Sequence, residues 1–144
     1  MNIWTNGCFD ILHSGHIELL WYAKNFVDET DPEQYYKEPN NLLFVGLDSD
    51  ERVKRMKGEN RPINDINTRL TIMQNLRMVD EVFIFNTDDD LRNLIRHLVI
   101  DYMIVGDQYK DKEVIGSENA KYGARFYPVD NRSTTNVIEK IKKL

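Results

Sequence analysis

The sequence contains little that would suit a secreted or membrane-bound protein. Its single cysteine, Cys8, excludes a disulfide within the chain, and such cysteine usage fits a reducing cytoplasm. No run approaches the roughly 20 apolar residues that a membrane-spanning helix needs. The first residues also lack the basic segment and long apolar segment of a secretory leader. We therefore expect a cytoplasmic protein that does not bind membranes.

An excess of basic charge and the two commonest glycine motifs for phosphate are also lacking. The formal net charge is −5, which disfavours nucleic acid as a partner because nucleic-acid binders usually carry a basic surface. Neither G-x-x-x-x-G-K-[ST] nor, after the first predicted strand, G-x-G-x-x-G occurs. Any phosphate site must therefore be built from other residues.

The sequence does alternate short apolar runs with amphipathic segments. The length of 144 residues suits one domain over 1–144, with a polar, proline-containing insertion or loop at about 28–41. The pattern predicts strands at 3–5, 42–47, 81–85, 102–105 and 124–129. It predicts helices at 16–27, 65–79, 88–98, 117–122 and 133–143. It also predicts a short helix that is capped by residues 48–50 and ends at Met56. The spacing predicts that Trp21 and Ile72 face inward.

This alternation indicates an α/β fold, because strands joined by helical crossovers form a parallel sheet that is covered on both faces. We expect a Rossmann-like, doubly wound, five-stranded parallel sheet in the order 3-2-1-4-5.

Residues 6–16, Asn-Gly-Cys-Phe-Asp-Ile-Leu-His-Ser-Gly-His, are the most informative segment. A spacing of three places His13 and His16 on the same side of a helical turn. The first strand breaks at Gly7 and a helix begins near Gly15, where open α/β sheets bind ligands and a helix N-terminus favours phosphate. The residues alone leave open a phosphate site, a metal site or two hydrogen-bonded histidines. Zinc is disfavoured because no second ligand cluster occurs.

A second polar group, at 132–136, precedes the last predicted helix. Ser133, Thr134 and Thr135 can cap that helix, which needs only one of them. Three hydroxyls directly after Arg132 also suit a polyphosphate, because hydroxyls, backbone N–H groups and a guanidinium all donate hydrogen bonds. Taken alone, the segment favours capping.

A third group follows the second predicted strand and is basic: Arg52, Lys54, Arg55, Lys57 and Arg61. Charge runs are usually solvated faces, and at least half of these residues fit that interpretation. The residues that flank Gly58 also suit a mobile loop that closes over a triphosphate.

Three aspartates, Asp10, Asp48 and Asp107, follow or flank strand ends. Each can ligate magnesium or a sugar hydroxyl, and each can simply cap a turn. The residues alone do not decide between these roles.

Taken together, these segments resemble a known superfamily. Residues 7–10 with His13-Ser14-Gly15-His16 resemble the H-x-G-H signature of the cytidylyltransferase-like nucleotidyltransferases, and 133–135 resemble their second signature. Within that superfamily, five segments resemble the adenylyltransferase domain of bifunctional ADP-heptose synthases: 5–13, 54–58, 61–64, 116–118 and 133–136. The similarity covers nearly the whole chain outside about 28–41.

The resemblance implies an enzyme that transfers a nucleoside monophosphate from a triphosphate, ATP being favoured, to a sugar phosphate such as heptose 1-phosphate, and that releases pyrophosphate. It also implies Mg²⁺ or another divalent cation bound with the triphosphate, and a homodimer. Val105 stands where the family usually has a lysine, and Gly106-Asp107 resembles the turn of glycerol-3-phosphate cytidylyltransferases. Transfer from CTP to glycerol 3-phosphate or a similar polyol phosphate is therefore the alternative. A non-catalytic nucleotide-binding protein is less favoured.

The resemblance also implies residue roles. It assigns catalysis to His13, His16 and Lys54, and makes Asp10 a candidate for orienting phosphate or magnesium. It assigns nucleotide binding to Asn6, Gly7, Cys8, Phe9, Asp10, Gly15, Lys57, Arg61, Gly106, Asp107, Ser117, Arg132, Ser133, Thr134 and Thr135.

Overall fold

The computed structural model describes residues 1–128 and 132–144 around one parallel sheet. The strands are β1 (Asn2–Gly7), β2 (Leu42–Asp48), β3 (Glu81–Phe85), β4 (Tyr102–Gly106) and β5 (Ala124–Tyr127). The helices are α1 (Ser14–Lys24), α2 (Pro32–Tyr35), α3 (Asp50–Lys57), α4 (Ile66–Gln74), α5 (Asp88–His97) and α6 (Thr134–Lys142). Short 3-10 helices lie at Asp107–Tyr109 and Ser117–Asn119. The strand order is β3-β2-β1-β4-β5, so the predicted fold class and order are confirmed.

Both faces of the sheet carry apolar side chains. Successive side chains of a strand point to opposite faces, and the strands contribute to an apolar cluster on each face. One core cluster, which includes residues of α1 and α4, contains Ile3, Leu43, Val45 and Tyr102. The other, which includes residues of α5, contains Trp4, Phe44 and Met103. Coverage of both faces explains why β2 is a continuous apolar run.

Two predicted core positions are wrong. Trp21 is 39% exposed and Ile72 is 40% exposed. In α1 the inward positions belong to Leu20 and Ala23, and in α4 to Arg69 and Met73. Each misplaced residue adjoins an inward one, and neighbouring residues lie about 100° apart around a helix.

Several element ends also differ from the prediction. Helix α1 begins at Ser14 because His13 caps it, and α4 ends at Gln74. The polar segment at 28–41 contains the one-turn helix α2. Strand β5 ends at Tyr127, and the predicted last strand residue, Val129, lies outside the described residues. No helix in the described ranges is both long and apolar enough to cross a membrane.

The side chain of Trp4, on β1, packs over Gly46 of the neighbouring strand β2. Trp4 is fully buried, and a Cβ on Gly46 would overlap its six-membered ring. The indole Nε1 donates a 2.8 Å hydrogen bond to Asn6 Oδ1. Gly46 thereby makes room for the ring that fixes the Asn6 side chain near the carboxyl end of β1.

We predict that Gly46→Ala lowers the free energy of unfolding by about 1–3 kcal/mol, because the added methyl overpacks the Trp4 ring. Urea unfolding measures this change. Leu42→Ala is the matched control on the same strand, since Leu42 is 49% exposed and its truncation should change stability by about 0.5 kcal/mol or less. Equal stability of Gly46→Ala and the wild type would contradict the prediction.

Candidate active site

A cavity of about 670 Å³ opens at the carboxyl ends of β1 and β4. The chain runs outward from β1 to β2 and β3 and then returns to β4 on the other side of β1. Doubly wound sheets bind ligands at such a reversal, because the crossovers on the two sides leave a crevice. The wall includes 5–10, 104–106 and 132–135, together with parts of α1 and α3.

The cavity brings together most of the predicted site residues. Those from the first motif, residues 6–16, are Asn6, Gly7, Cys8, Phe9, Asp10, His13, Gly15 and His16. Those from elsewhere are Lys57, Gly106, Arg132, Ser133, Thr134 and Thr135. Four predicted residues do not line it: Lys54, Arg61, Asp107 and Ser117.

Two reciprocal hydrogen bonds hold the histidine pair at the start of α1. His13 Nδ1 accepts the backbone N–H of Gly15 at 3.1 Å, and His16 Nδ1 accepts the backbone N–H of His13 at 3.1 Å. The ring centroids lie 3.9 Å apart. Because each Nδ1 is an acceptor, a neutral ring carries its proton on Nε2. The two rings thus supply Nε2–H donors at the cavity that they line.

Gly15 separates the histidines for a steric reason. A Cβ at this position would lie 2.9 Å from Cε1 and 3.0 Å from Nδ1 of His13. These separations are shorter than ordinary van der Waals contacts. The glycine therefore allows the His13 ring to fold back over the N–H that it caps.

The electrostatic surroundings keep His16 uncharged near neutral pH. Burial, helped by the charges of His13 and Lys57, lowers the pKa of His16 to about 4. A positive ring would lose hydration and face neighbouring positive charge. His16 therefore acts as a neutral hydrogen-bond donor.

The start of α6 is attached to the first motif. The Thr134 hydroxyl donates to the carbonyl of Ile11 at 2.9 Å. The Arg132 guanidinium donates to Glu18 Oε2 at 2.5 Å and to Ser14 Oγ at 2.8 Å. These contacts bring the N-termini of α1 and α6 to the same cavity, where both helix dipoles favour an anion.

Ser133 has the capping role that the sequence favoured. Its hydroxyl accepts the backbone N–H of Asn136 at 3.0 Å. Thr134 instead makes the long-range contact to Ile11. The hydroxyl residues therefore divide capping and attachment between them.

Asp10 binds a loop rather than standing open to the cavity. Its fully buried carboxylate accepts the backbone N–H groups of Ile63 and Asn64, both at 2.7 Å. Arg61 Nε lies 3.6 Å from Oδ2 of Asp10, although Arg61 itself does not line the cavity. Any magnesium ligation by Asp10 would compete with these bonds. In the described ranges, no three His, Cys, Asp or Glu side chains form a group that could hold a metal ion.

Arg69 organises the site, and the sequence analysis missed it. It is 1% exposed, and its Nη1 donates to the carbonyls of Cys8 at 2.9 Å and Asp48 at 2.7 Å. Its Nε donates to the carbonyl of Asn64 at 3.0 Å, and its Nη2 pairs with Asp50 at 2.7 Å. One guanidinium thus joins the loop after β1, the end of β2 and the segment at 61–64.

The position of Arg69 within the apolar stripe of α4 is the sequence signal that could have identified it. It lies three residues after Ile66 and four before Met73, in the apolar stripe of α4. An arginine in such a stripe can be buried only if its charge and donors are satisfied.

Helix α3 carries two predicted site residues, Lys54 and Lys57. Both residues are exposed, but Lys57, the last residue of the helix, lines the cavity and Lys54 does not. Residues three apart share one side of a helix, but they differ by about 60° around it, so one long side chain can reach the cavity while the other does not. Arg52, from the preceding turn, also lines the cavity and pairs with Asp48 at 3.0 Å.

The wall next to β4 is largely apolar. The sequence placed the loop at 105–109 among the strand-end loops of the site, but it did not predict that Val114 and Ile115 line the cavity. Tyr109, Val114 and Ile115, from the segment after β4, contribute to it. The predicted residues Asp107 and Ser117 instead begin short 3-10 helices beside this wall. The segment has no apolar periodicity, so no sequence signal marked its inward side chains.

We predict that His16 stays neutral down to about pH 4, measured as the midpoint of its ring signals in an NMR titration. The unfolded chain has the ordinary histidine pKa of about 6.5, so it binds more protons than the folded chain between these values. The free energy of unfolding should therefore fall as the pH falls through this window. His16→Asn should lose that part of the pH dependence. A midpoint near 6.5 would contradict the prediction.

Comparison with known proteins identifies the family of this chain. The sequence matches the cytidylyltransferase-like family over residues 4–140. It is similar to the bifunctional protein HldE of Campylobacter fetus subsp. fetus (strain 82-40), with 44% identity over 140 residues, which is 97% of this chain and 28% of that protein. HldE of Helicobacter pylori (strain P12) is 40% identical over 98% of this chain and 28% of its own length. The chain thus spans about a quarter of the length of the curated relatives it matches.

A solved structure shows the same fold. The lipopolysaccharide core biosynthesis protein from Thermoplasma volcanium GSS1 superimposes with a TM-score of 0.64 at 24% identity, over 90% of this chain and 98% of that one. This likeness concerns the fold alone, whereas the match over 4–140 concerns the family. The family expected from the two motifs is confirmed, and the chain belongs to the cytidylyltransferase-like nucleotidyltransferases.

Proposed function

We propose that this enzyme transfers AMP from ATP to a sugar phosphate such as heptose 1-phosphate and releases pyrophosphate. The observation that carries the proposal is that His13, His16 and the start of α6 line one cavity. Two helix N-termini and two imidazole donors around one space suit a triphosphate, whose charge must be stabilised as it shifts during the reaction.

The choice of ATP and a heptose phosphate rests on similarity. The segments at 54–58, 61–64 and 116–118 resemble those of ADP-heptose synthase adenylyltransferase domains. The HldE relatives are about 40% identical over nearly the whole chain. These two likenesses favour the adenine nucleotide and the sugar phosphate over other pairs in the family.

In the proposed reaction, an oxygen of the acceptor phosphate attacks the α-phosphorus in line. A phosphorus–oxygen bond forms there while the bond to the oxygen that bridges to the β-phosphate breaks, and that electron pair leaves with pyrophosphate. Phosphoryl chemistry of this kind needs positioning and charge stabilisation more than covalent help from the protein. The acceptor phosphate is already ionised near neutral pH, so the step needs no general base.

The histidines supply fixed donors for that step. Their Nδ1 atoms are engaged with the backbone, so the rings cannot turn without losing those bonds. Their Nε2–H groups would donate to oxygens around the α-phosphorus. Donors that are already oriented need no reorganisation as negative charge moves, which is the main source of electrostatic catalysis.

Other residues would hold the two ends of the triphosphate. The start of α6, with Ser133, Thr134 and Thr135, lies at the cavity and would bind the β- and γ-phosphates. Lys57 would neutralise charge from α3. The apolar β4 side, with Tyr109 and Val114, suits the faces of a base.

Mg²⁺ belongs to the proposal as part of the substrate. The described side chains offer no cluster of three metal ligands, and Asp10 is engaged with backbone donors. These residues do not fit a site for a protein-bound ion. The cation would enter on the oxygens of the triphosphate, and no step here depends on its position.

CTP and glycerol 3-phosphate, or a similar polyol phosphate, are the second candidate pair. Val105 replaces the lysine usual in the ADP-heptose synthase family, and both Val105 and Gly106 line the cavity. A lysine lost from the cavity wall changes a contact close to the base and sugar of the nucleotide.

A homodimer stays a prediction. Tyr35 and Tyr36, which are 57% and 87% exposed, lie on the 28–41 segment and are candidate subunit contacts, because exposed aromatic side chains are frequent at interfaces.

The substrates can be identified with four nucleoside triphosphates, each tested against heptose 1-phosphate, glycerol 3-phosphate and related acceptors. We expect pyrophosphate release to be fastest with ATP and heptose 1-phosphate. His16→Ala should lower kcat by about 100-fold or more while the fold is retained, and the exposed His97 gives the matched control His97→Ala. Triphosphate binding without pyrophosphate release across the panel would favour a non-catalytic protein. Near-normal turnover of His16→Ala would contradict the mechanism.

The two lysines of α3 give a further prediction. Lys57→Ala should lower kcat/KM by about 10- to 100-fold, because its charge lies at the cavity and a lost charge-assisted contact costs about 1.5–3 kcal/mol. Lys54→Ala should change it by less than about threefold, as for an exposed residue away from the site. Steady-state kinetics of the two variants measures both effects. The reverse order would restore the role that the sequence assigned to Lys54.

A further inference from the structure

Asp48 is a buried carboxylate in the cavity wall with one oxygen in use. It is the last residue of β2, and its side chain is 7% exposed. Oδ1 accepts the Nε–H of Arg52 at 3.0 Å. Within residues 1–128 and 132–144, only Oδ1 has a hydrogen-bond donor. Oδ2 is not among the fully buried atoms that lack a partner, and Asp48 lines the cavity, so Oδ2 is accessible from that space. A carboxylate oxygen that is accessible at a ligand cavity can accept a hydrogen bond from a ligand group, which would replace the water that satisfies it otherwise.

Asp48 and the proposed nucleoside site lie on opposite sides of β1. In the sheet order, β1 lies between β2 and β4, and adjacent strands are about 4.8 Å apart. The apolar wall that suits a base is on the β4 side, and the histidine pair follows β1. Asp48 therefore lies beyond the histidines from the base, on the side left for the acceptor.

The charges around Asp48 determine what kind of donor can bind. Arg52 contacts its carboxylate, and Arg69 donates to its backbone carbonyl. Burial raises the pKa of Asp48, while the positive charges of Arg52, Lys57 and Arg69 oppose that rise. An ammonium group bound here would meet three nearby cations. A neutral hydroxyl meets no such repulsion and can donate to the open oxygen.

We propose that Asp48 selects the acceptor by accepting a hydrogen bond from a hydroxyl group adjacent to the phosphate-bearing carbon of a sugar or polyol phosphate. This inference rests on the proposed function and deepens it. It assigns acceptor recognition to one aspartate of the three at strand ends, since Asp10 is saturated by backbone N–H groups and Asp107 does not line the cavity.

Arg52 acts here as a positioning residue. Besides Asp48, its guanidinium pairs with Asp88 at 3.0 Å and stacks over Phe85 with a ring-centroid distance of 5.0 Å. A guanidinium held from three sides keeps Oδ1 in place. Oδ2 is thereby directed by the fold before any substrate binds.

The test compares the wild type with Asp48→Ala and Asp48→Asn. The acceptors are the best substrate of the panel and its analogue without the adjacent hydroxyl: a 2-deoxy sugar 1-phosphate, or propane-1,3-diol phosphate in place of glycerol 3-phosphate. Asp48→Ala should raise the acceptor KM by about 10- to 100-fold. The triphosphate Kd, measured by calorimetry, should change by less than about threefold, which also reports that the variant is folded.

Asp48→Asn should recover most of the loss, because an amide can hydrogen-bond a neutral hydroxyl in either sense. The deoxy analogue should be a poor substrate for the wild type and no worse than the parent acceptor for Asp48→Ala. The wild-type comparison needs no variant, so it tests the inference even if Asp48→Ala does not fold.

Three results would overturn the inference. One is an unchanged acceptor KM in Asp48→Ala, and another is equal use of the parent and deoxy acceptors by the wild type. The third is an Asp48→Asn variant as weak as Asp48→Ala, which would indicate a cationic acceptor group. In all three the wild type still releases pyrophosphate, so the proposed function stands. A wild type that releases none with any acceptor removes both proposals.

Discussion

Two hydrogen bonds from backbone N–H groups to imidazole nitrogens are the constraint on which the site depends. The first N–H groups of a helix have no partner within it, and here His13 and His16 satisfy two donors around the start of α1. Using Nδ1 for capping commits the other nitrogen of each ring to the cavity. The same bonds that begin the helix therefore set the tautomer and direction of the groups assigned to chemistry.

The surrounding residues take conformations that serve this arrangement. Phe9 has a backbone φ of 48°, which is uncommon for a bulky residue, and its ring lies 5.5 Å from that of His16. Arg69 and Asp10 hold the adjoining loops through buried, fully used charges. Buried charges of this kind tolerate few alternative arrangements, because losing one partner leaves the other unsatisfied.

The sequence predicted those parts of this enzyme that follow a regular apolar pattern or cap a helix. Apolar runs marked the five strands, and the expected doubly wound fold supplied their order. Hydroxyl residues before α6 marked a helix start that lies at the cavity. Arg69 was missed because its charge suggested exposure, while its partners are carbonyls distant in sequence. Of the two predicted lysines of α3, Lys57 lines the cavity and Lys54 does not. The sequence could not separate them, because similar side chains one turn apart differ only in direction, and direction depends on packing against the sheet.

The two sides of the cavity are built from different kinds of structure. On the β4 side, the wall comes from the irregular segment after Gly106, where side chains such as Tyr109 and Val114 face inward without a regular pattern. On the β2 side, Asp48 and Arg52 project from the end of a strand and the first turn of a helix. Irregular segments accept substitutions and insertions more easily than packed elements do. With the base on the β4 side, as proposed, base preference could change through the segment after β4 without disturbing the sheet. The acceptor recognition proposed for the β2 side would instead depend on residues that also hold the fold, since Arg69 bonds the Asp48 carbonyl.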